Sequence, residues 1–134
     1  MQTLRQLSFG LLDMAWHGGD PTGITSVGDF ENEAMAPTQV LPTMEGTNMS
    51  CAFSHIFQGG YSAGYYSYKW AEVLDADAFE LFKEKGLFDR DTASKFRTLL
   101  SSGGTIHPME LYKAFRGREP KVEALLKRAG LVEA

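Results

Sequence analysis

Four of the five tyrosines in this chain stand within eight residues, at Tyr61, Tyr65, Tyr66 and Tyr68, in the stretch FSHIFQGGYSAGYYSYKW from Phe53 to Trp70. The same stretch carries His55 and the Gly59-Gly60 pair. Phenols stay protonated at neutral pH and donate hydrogen bonds, and such donors stabilise an oxyanion that develops during acyl transfer. Two adjacent glycines allow backbone close to a ligand, or a loop that moves. On a helix at 100° per residue, Tyr65 and Tyr68 lie about 60° apart, Tyr61 falls about 20° from Tyr68, and Tyr66 points elsewhere. The spacing therefore selects Tyr61, Tyr65 and Tyr68 as three hydroxyls on one face. The competing reading is that they are core tyrosines whose hydroxyls reach the surface.

Other chemistries lack their residues. His17, His55 and His107 are far apart, no HExxH is present, and no His or Cys partner stands at metal-ligand spacing. No G-x-S-x-G, P-loop or G-x-G-x-x-G occurs. Cys51 lies four residues before His55, but nothing in the sequence orients that histidine as a base for a thiol.

Most of the chain has helical periodicity. Leu4, Leu7, Leu11, Leu12 and Met14 to Trp16 form an apolar stripe that stops at Gly18-Gly19 and Pro21. Ser26 and Asp29 resemble a capping box and open a second helix, which breaks at Pro37. PTMEGTNMSCAFSH has no clean period and reads as a loop or irregular helix end. The longest helix is predicted from about Ser62 to Lys85, with Gly86 as its stop. Asp89 caps a helix to Ser101 with Phe96, Leu99 and Leu100 inward. Pro108 opens one to Phe115, and Pro120 opens a last one with Val122, Leu125 and Leu126 as core, ending at Gly130. The expectation is an all-α fold: an irregular bundle of about five to six helices, residues 1–134 as a single helical domain, with a glycine-rich loop before the longest helix.

The 134 residues are 43% apolar and 22% charged with net charge −4, as in one globular domain. An acidic balance disfavours nucleic acid and anionic membrane surfaces as partners. No apolar run reaches the roughly 18 residues of a membrane span, and MQTLRQLSFG lacks a signal-peptide pattern. The single Cys51 fits a cytoplasmic setting.

The run His55-x-x-x-Gly59-Gly60-Tyr61-x-x-x-Tyr65-Tyr66-x-Tyr68, within FSHIFQGGYSAGYYSYKWAEVLDADAF, resembles the C-terminal catalytic region of the thimet oligopeptidase family of zinc metallopeptidases. The bacterial peptidyl-dipeptidase and oligopeptidase A branch is the most similar. RQLSFGLLDMAWH resembles the family's helix after the metal-binding core, and GLFDRDTASKFRTLLSSGG and PMELYKAFRGREPKVEALLKRAGL resemble its C-terminal end. The resemblance implies hydrolysis of peptide bonds in short peptides. It implies zinc in the full-length family, bound by an HExxH helix and a downstream glutamate, with no cofactor site in this chain. It assigns Tyr68 and His55 to catalysis, with Tyr68 as the oxyanion donor, and Tyr61, Tyr65, Gly59 and Gly60 to substrate binding. Arg116 and Arg118 match a recurring family segment, FRGREP, against the simpler reading of a solvated turn.

The implied function is that of a catalytic-subdomain fragment that needs an N-terminal catalytic half as its partner. The alternative is a stand-alone, non-catalytic helical module that binds peptides. Either way, an apolar face left without that half, with Leu4, Leu7, Leu11 and Trp16 as candidates, predicts homo-oligomers.

Overall fold

The computed structural model describes residues 1–133. Among them are seven α-helices and no strand, so the all-α expectation holds. The helices are α1 (Gln2–Gly18), α2 (Val27–Met35), α3 (Met49–Ala52), α4 (Ser67–Lys85), α5 (Arg90–Ser101), α6 (Pro108–Arg116) and α7 (Glu123–Arg128). The described residues form two compact units, one of residues 1–69 and one that begins at Trp70.

The starts of α2, α5 and α6 follow the predicted chemistry. The Ser26 hydroxyl accepts the Asp29 N–H at 3.2 Å, and the Asp89 carboxylate accepts the Thr92 N–H at 2.7 Å. Each satisfies an amide that has no partner inside its own helix. Pro108 occupies the first turn of α6, and Gly117, at φ 82°, closes it in the left-handed conformation that favours glycine.

The first unit is built on Phe9 and Leu12 of α1 packed against Phe53 and Ile56. Phe53 lies in the stretch that carried no period, and Ile56 directly follows its last residue. α3 and a 3-10 turn at Ser54–Ile56 fold it so that both side chains point inward, and Ile56 has no exposed surface. The Asn48 side chain caps α3 by accepting the Cys51 N–H at 3.1 Å. Buried Glu31 of α2 accepts the Met49 N–H at 2.8 Å and also the Ser50 N–H. Trp16 does not belong to a bare face. Its ring packs on Phe30 at 4.3 Å between centroids, and its indole N–H donates to the Ser50 hydroxyl at 2.8 Å. Leu7 and Leu11 are exposed, whereas Leu4 is half-buried.

In the second unit Ala78 and Leu81 of α4 pack with Tyr112 and Phe115 of α6, flanked by Phe82, Phe96 and Leu99. Leu100 points outward, against expectation, because α5 presents only Phe96 and Leu99 to this cluster. The last helix begins at Glu123 and not at Pro120, and its buried residue is Ala124; Val122 is exposed. FRGREP is no solvated turn either. Arg118 clamps buried Asp77 with two hydrogen bonds, at 2.7 and 3.0 Å, and Arg116 pairs with Glu84 at 2.6 Å.

Candidate functional site

The cluster of His55, Tyr61, Tyr65 and Tyr68 lies within the first unit. Tyr61 and Tyr68 stack at 5.5 Å between ring centroids, and Tyr65 meets Tyr68 at 4.9 Å. The His55 ring lies 5.8 Å from Tyr61 and 6.5 Å from Tyr65. Tyr66 stands apart and is 59% exposed. The structure thus brings together the three phenols and the imidazole singled out in the sequence.

Their local geometry is not the predicted one. α4 starts at Ser67, so only Tyr68 occupies a helical position. Tyr61 to Tyr66 run through successive turns, with bonds from Gly64 N–H to Tyr61 C=O (2.9 Å) and from Tyr68 N–H to Tyr65 C=O (3.2 Å). Ala63, at φ 53°, adopts a left-handed backbone that ends any helix running back toward Tyr61. The Ser62 hydroxyl donates to the Ile56 carbonyl at 2.6 Å, tying the turn to the preceding segment. Gly59 and Gly60 have φ of 76° and 79°, which glycine adopts without the Cβ clash that other residues incur.

Asp13 of α1 shapes this region and was not singled out in the sequence. It has no exposed surface. Its Oδ1 accepts the Ala63 N–H at 2.9 Å and its Oδ2 accepts the Tyr65 N–H at 2.8 Å. His17, one turn further along α1, places Nδ1 2.9 Å from Asp13 Oδ1. Gln6 was missed as well: the Tyr65 hydroxyl donates to its Oε1 at 3.4 Å. An aspartate and a glutamine on an amphipathic helix read as solvent-facing. The signal that marks Asp13 is positional, because it directly follows Leu12, which is also fully buried.

The phenols differ in setting. Tyr65 is wedged edge-on against Phe53 at 4.9 Å and Phe9 at 5.8 Å, so the core fixes its ring. Tyr68 is 41% exposed, while Tyr61 and Tyr65 are half-buried. The Tyr68 phenol is held above its ordinary value, first by polar interaction with the Tyr61 hydroxyl and then by burial. It therefore remains a neutral donor through and beyond physiological pH. The arrangement offers a solvent-facing hydroxyl on a rigid aromatic platform, with an imidazole alongside. That suits binding of a polarised carbonyl oxygen.

Among the described residues, no three His, Cys, Asp or Glu side chains converge to hold a metal ion. The groups present do not fit a zinc site. Among the same residues, no helix is long and apolar enough to cross a membrane.

Comparison with known proteins supplies kinship. Peptidase family M3 matches residues 1–131. The chain is 46% identical over 138 residues to organellar oligopeptidase A, chloroplastic/mitochondrial, of Arabidopsis thaliana, covering 98% of this chain and 17% of that protein. It is 46% identical over 130 residues to oligopeptidase A of Escherichia coli, covering 96% of this chain and 19% of that protein. With dipeptidyl carboxypeptidase of Salmonella typhimurium the identity is 38% over 128 residues, covering 93% and 19%. The chain spans less than a fifth of the length of each of these three relatives. A family match over nearly every residue, with relatives this similar, makes the chain a member of peptidase family M3, the thimet oligopeptidase family.

Proposed function

We propose that the tyrosine cluster is the peptide-facing wall of a zinc-dependent oligopeptidase active site, whose metal is held by residues other than those described. Tyr68 donates its hydroxyl to the oxyanion formed when a peptide carbonyl is attacked. Tyr61, Tyr65 and His55 contact the peptide on either side of that carbonyl, and Gly59 and Gly60 let the loop backbone come close to it. The substrates are short peptides, as the names of the oligopeptidase relatives suggest.

The observation that carries this reading is the setting of Tyr68. It is the most exposed of the three clustered phenols, its ring is braced by two others, and its proton is held more tightly than in free tyrosine. A donor of this kind costs little reorganisation as charge develops, and removing one oxyanion donor lowers kcat about 10²–10³-fold.

The test uses the matching segment of Escherichia coli oligopeptidase A, replaced by this chain. Tyr68→Phe in that chimera is expected to lower kcat by about 10²-fold or more with little change in KM. Tyr61→Phe and Tyr65→Phe are expected to act mainly on KM. A Tyr68→Phe chimera with parental kcat would refute the assignment.

A further inference from the structure

We propose that Asp13 is the positioning residue of the tyrosine cluster, acting through the backbone of the turn that carries the phenols. Its importance for catalysis rests on the reading of the cluster given above; its effect on geometry does not.

Three observations converge on it. Asp13 is completely buried, so its carboxylate has given up water and must be satisfied by protein donors. It has two donors from one short turn, the Ala63 and Tyr65 amides, about 50 residues away in sequence. Between Tyr61 and Tyr65 lies Ala63, the one non-glycine residue with positive φ among those described. A left-handed alanine persists only where its surroundings over-determine it. The Asp13 carboxylate is the group that does so, because the left-handed turn is what delivers both amides to its two oxygens. His17, with Nδ1 2.9 Å from Oδ1, gives the carboxylate a further neighbour on the α1 side.

The consequence reaches the phenols directly. Tyr65 is itself a residue whose amide Asp13 holds, and Tyr61 enters the same turn through the bond from the Gly64 N–H. Releasing either amide frees the turn to rotate. Tyr61 would then leave the face of Tyr68, while the Phe9, Leu12, Phe53 and Ile56 core beneath would stay packed. A residue that merely supports the fold would disturb the core first.

The experiment is NMR on the whole chain. The parent is expected to show nuclear Overhauser contacts between the Tyr61 and Tyr68 rings and slow exchange of the Ala63 and Tyr65 amides. In Asp13→Asn and Asp13→Ala the ring contacts should vanish and exchange of those two amides accelerate about tenfold or more, with the contacts between the Phe9 and Phe53 rings of the core retained. Ring contacts that persist in Asp13→Ala overturn the proposal.

If the Asp13 variants lose the core signals too, Ala63→Val decides. It places a β-branched side chain at an exposed left-handed position and leaves Asp13 intact. Lost ring contacts over an intact core then support the proposal, and retained contacts overturn it. Ala63→Gly should retain them. In the oligopeptidase chimera, Asp13→Asn should lower kcat only if Tyr68→Phe does. Separated rings with an inert Tyr68→Phe would therefore remove the catalytic reading and leave the positioning role standing.

Discussion

Replacing Arg118 with methionine should expose how the second unit tolerates a buried carboxylate. Asp77 is 1% exposed. Arg118 donates to both of its oxygens, at 2.7 and 3.0 Å, and the Tyr112 hydroxyl donates to Oδ2 at 2.7 Å. The Arg116 Nε approaches Oδ2 at 3.6 Å, too far for a hydrogen bond. Burial pushes the Asp77 carboxyl up, but the hydrogen bonds from Arg118 and Tyr112 outweigh it and hold the group below its ordinary 3.8. Removing one partner of a buried pair costs about 3–5 kcal/mol. Arg118 is itself a third exposed, so water screens part of the interaction, and Tyr112 and Arg116 remain. The expected loss is therefore about 2–3 kcal/mol.

The pH dependence gives that number a sign. A depressed carboxylate contributes stability that is present above its unfolded value of 3.8 and is lost as pH falls through its folded value. In Arg118→Met burial prevails, so Asp77 takes up its proton at higher pH than in the parent. The gap between parent and variant is then widest near neutrality and narrows as pH drops toward about 4. Urea unfolding followed by circular dichroism at several pH values measures both quantities. A neutral-pH loss below about 0.5 kcal/mol, the range of ordinary surface substitutions, would refute the reasoning. So would a gap that stays constant or widens on acidification.

Two further substitutions probe the first unit. Glu31→Gln leaves one of the Met49 and Ser50 amides facing an amide NH₂ in a buried setting and should cost about 1–2 kcal/mol by denaturant midpoint. An unchanged midpoint would show that the end of α3 is satisfied in another way. Ala63→Gly relieves about 1–2 kcal/mol of left-handed strain and returns about 0.5–1 kcal/mol to the unfolded chain, for a net gain of about 0.5 kcal/mol. A measured loss would mean that the alanine methyl makes a contact worth more than the strain.

What the sequence made legible follows from which forces are local. Ser26 and Asp89 accept amides three residues on and Pro108 fixes its own backbone, and each marks a helix start where the structure has one. Pro120 carries the same signal, but the helix begins three residues later, at Glu123. Phe53 and Ile56 were lost because a four-residue helix followed by a 3-10 turn is too short to establish a period. Asp13 was lost for a different reason. Its partners are main-chain amides some 50 residues away, and a backbone N–H has no letter in the sequence.

The tyrosine trio is the instructive case, since the three rings do cluster, but through a local structure other than the helix expected. An α-helix would set Tyr65 and Tyr68 about 60° apart, whereas i to i+3 turns bring such residues into register. The bond from the Tyr68 N–H to the Tyr65 carbonyl, at 3.2 Å, is of the second kind, and the two rings lie 4.9 Å apart. A spacing of three residues therefore clusters side chains under either geometry. Tyr61 is different. On a helix it would reach Tyr68 through two turns of regular backbone, yet here it does so across a left-handed alanine held by a buried carboxylate. The Tyr65–Tyr68 contact should accordingly withstand loss of Asp13, while the Tyr61–Tyr68 stack should not. That asymmetry separates a cluster written into residue spacing from one imposed by tertiary structure.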